Sequence, residues 1–157
     1  MNRDSKLDGQ SCYTLALIDC SRLRPHEETD KLRIEELASE ISGEGVLKYP
    51  VIVDKASMVI LDGHHRATVL AKLGCKFVPA YLVDYYDENI QVSNWSNVKG
   101  TETCMSRVTK ESVVSAALTG HLFPPKTSRH IWPWHRQAHP MPVRVLQELS
   151  SCTKSWR

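Results

Sequence analysis

With 157 residues, 41% hydrophobic and 24% charged side chains, and a formal net charge of +2, the chain has the composition of one globular domain with a real core. That excludes a disordered or collagen-like polymer; no apolar run approaches the roughly 20 residues a bilayer span needs, and the polar start from Met1 to Gln10 lacks an apolar secretion segment. Five cysteines, odd in number and without a CxxC pair, argue against a disulfide framework or a cysteine zinc site and fit reduced thiols in a cytoplasmic protein.

Residues 1–12 read as a loose arm, residues 13–130 as one compact domain, and residues 131–157 as a Pro-rich basic tail, irregular or disordered. Tyr13 to Ile18 is a short predicted strand. A polar connection through Arg24-Pro25-His26-Glu27-Glu28 follows. A helix is expected from Thr29 or Asp30, both good N-caps, with Ile34, Leu37, Ala38 and Ile41 on one face and Gly43 or Gly45 as its stop. Pro50–Asp54 and Met58–Leu61 form a predicted hairpin. Asp62-Gly63 breaks its second strand, and His64 to Leu73 becomes a helix buried through Ala67, Leu70, Ala71 and Leu73, with Gly74 as its stop. Phe77 to Val83 is a further strand, in which Pro79 implies an edge or a bulge. Asp84 to Val108 reads as irregular. Thr109 caps a last helix through Leu118, closed by Gly120. The tail offers only a short helical stretch around Val143 to Leu149. The sum is a compact α+β domain with a small mixed sheet and flanking helices.

Charge is unevenly spread. Residues 131–157 hold four basic side chains against Glu148 alone, leaving the first 130 residues slightly acidic. A strongly basic nucleic-acid surface is therefore not expected.

Three clusters and one aromatic can carry chemistry. Asp62-Gly63-His64-His65-Arg66 sits where a strand turns into a helix. The glycine allows close backbone approach, the first helical N–H groups face outward, and the dipole favours an anion, most often phosphate. Arg66 adds a forked donor, and Asp62 could hold a metal ion or a ribose hydroxyl. Lys126-Thr127-Ser128-Arg129-His130 offers two cations, two hydroxyls and an imidazole, suited to a carboxylate or phosphate, or simply to a solvated loop. His26-Glu27-Glu28, ahead of a helix, reads either as dipole compensation or as a source of a general base. Trp95, alone in a polar stretch, reads as a cover over the core or as a ligand platform.

Together these residues resemble the ParB/sulfiredoxin-fold superfamily across about residues 13–86, and within it the free L-serine kinases. The resemblance rests on Pro25-His26-Glu27-Glu28, on Val59 to Arg66 and on Val78 to Tyr85, and continues through Trp95 and Thr109-Lys110-Glu111 to Leu122–His130. It implies phosphoryl transfer from ADP or ATP to the hydroxyl of free L-serine, giving O-phospho-L-serine. Glu27 would then be the general base, with Glu28 as the neighbouring carboxylate. Asp62, Gly63, His64, His65 and Arg66 would hold the nucleotide phosphates, with Mg²⁺ near Asp62. Trp95 and Lys126, Thr127, Ser128, Arg129 and His130 would hold the amino acid or its phosphate. A sulfiredoxin would need a cysteine where His64 stands, and a partitioning ParB would carry a Gly-Glu-Arg-Arg box and a following helix-turn-helix domain; neither is present in this sequence. The alternative is a ParB-like nucleotide- or DNA-binding module without kinase activity. Small-molecule partners are expected, with no membrane and no nucleic acid.

Overall fold

The computed structural model describes residues 13–95 and 107–154. In chain order the first half comprises β1 (Tyr13–Asp19), a 3-10 turn (Cys20–Arg22), α1 (Lys31–Glu44), β2 (Val46–Leu47), β3 (Val51–Asp54), β4 (Ile60–Asp62) and α2 (His64–Lys72). The second half comprises β5 (Phe77–Val83), β6 (Gln91–Asn94), α3 (Lys110–Thr119), β7 (Ser128–Ile131), β8 (Met141–Pro142) and α4 (Val143–Lys154).

The helix boundaries follow from capping chemistry. Asp30 caps α1, its side chain accepting from Leu32 N–H at 3.0 Å. Gly45 ends α1 in the left-handed region, while Gly43 stays inside the last turn. Thr109 and Ser112 form a reciprocal capping box at the start of α3, and Gly120 closes it. Ile34, Leu37 and Ile41 are the buried face of α1. On α2 the buried set is Ala67, Val69 and Leu70, whereas Ala71 is exposed. The stripe starts at Ala67 as expected but turns toward Val69 rather than Ala71, and Leu73 is only half-buried.

The main sheet has the order β1-β5-β3-β4. β5 runs antiparallel to β1 and parallel to β3, and β3 and β4 form the expected hairpin. Pro79 thus lies in a central strand, opposite Leu17. It is tolerated because the ladder to β3 begins only at Ala80, so at residue 79 β5 is paired on one side alone. Side chains alternate between two cores. Val51, Val53, Val78 and Ala80 join α1, α2 and α4 in one; Ile52, Leu61 and Val83 join Tyr85, Ile90, Val108 and Val113 in the other.

Two regions differ from expectation. The segment after residue 84 carries β6, which pairs antiparallel with β7. Its sequence, Gln91-Val92-Ser93-Asn94, has little apolar alternation, so cross-strand pairing rather than burial makes it a strand. The tail is also more ordered than its prolines implied. Trp132 and Trp134 pack on the second core, and β8 pairs with β2. α4 buries Val143 and Leu146 in the first core. Its Gln147 amide donates to the Leu73 carbonyl at 2.7 Å, and Ser150 Oγ accepts from Lys76 N–H at 2.6 Å. Cys20 and Cys75 are free thiols. Among the described residues no helix is long and apolar enough to cross a membrane.

Candidate functional site

A cleft of about 620 Å³ runs from the 26–28 connection past the N-terminus of α2 to the end of α1, with β7 and the following segment as its other wall. The 24–28 connection is sewn into place rather than loose. Arg24 bridges to the β4 hairpin through Met58 and Ile60, and Glu28 N–H donates to the Phe123 carbonyl at 2.8 Å. Two histidines of α2 fasten the same segment. His64 Nε2 accepts from His26 N–H at 3.2 Å, and His65 Nε2 accepts from Asp30 N–H at 3.0 Å. Burial, and then neighbouring positive charge, lowers both imidazoles, His64 to about 3, so both are neutral acceptors at pH 7.

These ties put Glu27 inside the cleft wall with 11% of its side chain exposed. Its Oε1 accepts from Lys126 N–H at 2.7 Å, and its Oε2 accepts from Ser128 N–H at 3.1 Å and from the Ser128 hydroxyl. His26 backs this cluster and is fully buried. Its Nδ1 donates to the Ile60 carbonyl at 2.7 Å, which turns Nε2 toward Ser128 Oγ at 2.9 Å and Glu27 Oε2 at 3.5 Å. Burial alone would raise the Glu27 carboxyl. The contacts from His26 and from the Ser128 hydroxyl and amide outweigh it and hold the group at about 2. A carboxylate offers about four lone-pair sites. Among the described residues three donors occupy such sites, two on Oε2 and one on Oε1, which leaves a site on Oε1. Glu28 is exposed on the cleft rim and makes no such set of bonds.

At the strand-to-helix turn, Gly63 has φ 101°, a conformation that L side chains rarely adopt. A Cβ there would lie 2.7 Å from Val51 Cγ1 and 2.8 Å from Arg66 Nη2. Gly63 supplies no side-chain cap, so the first-turn N–H groups of α2 meet the cleft uncapped. The Arg66 side chain has a different task from the one its position suggested. Its Nη1 donates to the Tyr49 and Pro50 carbonyls, each at 2.8 Å, and its Nη2 reaches Asp62 Oδ2 at 3.4 Å. It pins the β2–β3 connection against α2.

The opposite wall gathers Trp95, Lys126, Ser128, Arg129 and His130. Trp95 is exposed, and the Arg129 guanidinium lies 5.2 Å from its ring centroid, so it is no plug over the core. His130 is stacked on Trp132 and meets the Tyr85 hydroxyl at 2.8 Å through Nε2. Burial, then the charge of His26, lowers His130 to about 3, while burial raises Tyr85; the phenol donates and the imidazole accepts. Thr127 is the exception in its cluster. It is buried, gives its hydroxyl to the Pro124 carbonyl at 2.7 Å, and does not line the cleft. Sequence reasoning missed Tyr49, Trp132 and Arg136, which also line it. Arg136 had one signal, its place in the basic excess of the tail.

Sheet, helices and cleft together define a ParB/sulfiredoxin-like α+β domain. The ParB N-terminal domain model matches residues 3–98, and the chain belongs to that family. An ATP-dependent L-serine kinase of Staphylothermus marinus is 41% identical over 83 residues, 50% of this chain and 33% of that protein. A ParB-like protein of Sulfolobus acidocaldarius is 41% identical over 88 residues, 56% of this chain and 44% of that protein. The chain therefore matches less than half the length of either curated relative. A mutant free serine kinase in complex with ADP has a similar fold, with a TM-score of 0.72 at 18% identity, over 87% of this chain and 94% of that one.

Proposed function

We propose that this chain transfers a phosphoryl group from ADP or ATP to the hydroxyl of free L-serine, yielding O-phospho-L-serine. The observation that carries the reading is the Glu27 carboxylate, fixed in the cleft with one acceptor site open on Oε1. It stands between the uncapped turn of α2 and the cations Lys126 and Arg129. The serine kinase named among the relatives supports the choice of acceptor.

In this reading the serine hydroxyl donates to Glu27 Oε1. A carboxyl held near 2 is a weak base, but phosphoryl transfer passes through a loose transition state that asks mainly for alignment. Glu27 therefore orients the nucleophile and takes its proton late. The backbone N–H groups of residues 63–66 receive the nucleotide phosphates, and Lys126, Arg129 and Trp95 receive the amino acid. His64, His65 and Arg66 serve that site by holding its walls. Asp62 is the residue that would hold Mg²⁺. Its carboxylate is 42% exposed at the cleft, and Mg²⁺ commonly takes one or two carboxylates with phosphate oxygens and waters. Bound there, the ion would offset charge on the phosphate oxygens.

The test incubates the purified chain with L-serine, Mg²⁺ and either nucleotide and follows the phosphorus spectrum. Formation of O-phosphoserine is expected, and none with either nucleotide refutes the reading. Salt-sensitive retardation of duplex DNA, without product, would assign the chain to the binding-module class instead.

A further inference from the structure

The segment after β7 contributes a cation to the cleft that the reaction as described leaves unused. Arg136 lines the cleft, and its guanidinium carbon lies 4.2 Å from the centroid of the Tyr49 ring. Tyr49 links it to the motif helix, since the Tyr49 carbonyl is one of the two that Arg66 holds. The two arginines differ in what they have left to give. Three N–H donors of Arg66 are committed to protein acceptors, and its side chain is only 12% exposed. Arg136 is exposed, has no carboxylate within ion-pair distance among the described residues, and keeps its five donors. Burial lowers the Arg66 guanidinium to about 10, and the nearby charge of Arg136 adds to that. Asp62 offsets part of that effect from the Arg66 side, and a bound anion would offset the Arg136 charge as well.

We propose that Arg136, lying over the Tyr49 ring, is the phosphate-binding arginine of the nucleotide subsite, closing on the phosphate chain that the N-terminus of α2 receives. The assignment rests on the kinase reading for the identity of its ligand, a nucleoside di- or triphosphate. Other cations of the cleft have other neighbours: Arg129 lies over Trp95, Arg33 reaches Glu36 and Glu40, and Lys48 reaches Glu44. Stacking on an aromatic ring leaves the forked edge of a guanidinium free for bidentate contact with phosphate oxygens.

Calorimetric titration of the full chain with ADP, adenosine and pyrophosphate tests this. Arg136→Ala should weaken ADP and pyrophosphate roughly ten- to hundred-fold, the range of a charge-assisted contact, and leave adenosine unchanged. Arg136→Lys should recover part of the loss, because it restores charge without the fork. Arg144→Ala, on the exposed face of α4, should match the wild type and controls for net charge. Unchanged ADP affinity in Arg136→Ala overturns the proposal, as does an equal loss for adenosine, which would mark a purely structural role. Arg136-dependent pyrophosphate binding without phosphoserine formation would leave the subsite standing and remove the kinase reading. Phosphoserine formation with an indifferent Arg136 would do the reverse. A wild type that binds none of the three overturns both.

Discussion

Replacing Glu27 by Gln keeps the shape of the side chain and removes its charge, at a point where three protein donors converge. Lys126 N–H, Ser128 N–H and the Ser128 hydroxyl all point at the carboxylate. An amide has one acceptor oxygen, so in either orientation its NH₂ faces a donor and leaves at least one backbone N–H, that of Lys126 or that of Ser128, without its partner. The electrostatic part can be sized from the carboxyl, which lies near 2 in the folded chain against an ordinary 4.5. That difference corresponds to about 3 kcal/mol, or roughly 6 to 12 °C in midpoint for a domain of this size. The folded value lies below the unfolded one, so this stabilisation is complete above about pH 4.5 and disappears as pH falls through 2. Urea unfolding of wild type and Glu27→Gln at pH 7, 4.5 and 3 measures it: the gap should be largest at pH 7 and shrink at pH 3. Turnover to phosphoserine should fall while ADP still binds. A gap below 1 kcal/mol at pH 7, or one that does not narrow in acid, would refute the account of how Glu27 is held.

Gly63→Ala should lower stability by about 1–2 kcal/mol for the positive φ and about 1–3 kcal/mol more for the clash with Val51 and Arg66. A thermal midpoint within 1 °C of wild type would contradict that geometry. His64 and His130 are both lowered to about 3, so between pH 6.5 and 3 the unfolded chain binds more protons than the folded one and stability is lost as the pH is lowered. The part of that loss between pH 6.5 and 4.5 should flatten in His130→Gln, as followed by denaturant titration; an unaltered slope would count against the buried neutral imidazole. Leu146→Ala should cost about 2–5 kcal/mol, because this fully buried side chain is where α4 enters the first core. A loss under 1 kcal/mol in urea unfolding would mean that α4 adds little to the fold.

The elements legible in the sequence are those written in local chemistry. Asp30, Gly45, Thr109 and Gly120 mark helix ends whose caps are complete within a few residues, and the hairpin from residue 51 to 62 is two β-branched runs around a turn. What escaped depends on distant partners. β6 has no pattern of its own and exists through β7, more than thirty residues later. His26 and Glu27 looked like part of a polar connection. His26 is buried and Glu27 is drawn into the cleft wall because β4, α2 and the segment around Phe123 close over them. The Asp62–Arg66 motif was visible as a turn, but a motif shows which donors are present, not how many the fold will consume. Two carbonyls at residues 49 and 50, with the Asp62 carboxylate, take three of the five donors of Arg66.

The charge distribution shows the same dependence on tertiary context. Dividing the chain at residue 130 makes the first part slightly acidic and assigns the basic excess to a tail. The cleft does not respect that division. Glu27, Asp62, Lys126 and Arg129 face it from one side of the boundary and Arg136 from the other. Within a Debye length of about 8 Å, a small anionic ligand experiences this local set rather than the total of +2. Removing one guanidinium from the set should therefore change ligand affinity far more than the same change on α4, although both alter net charge equally.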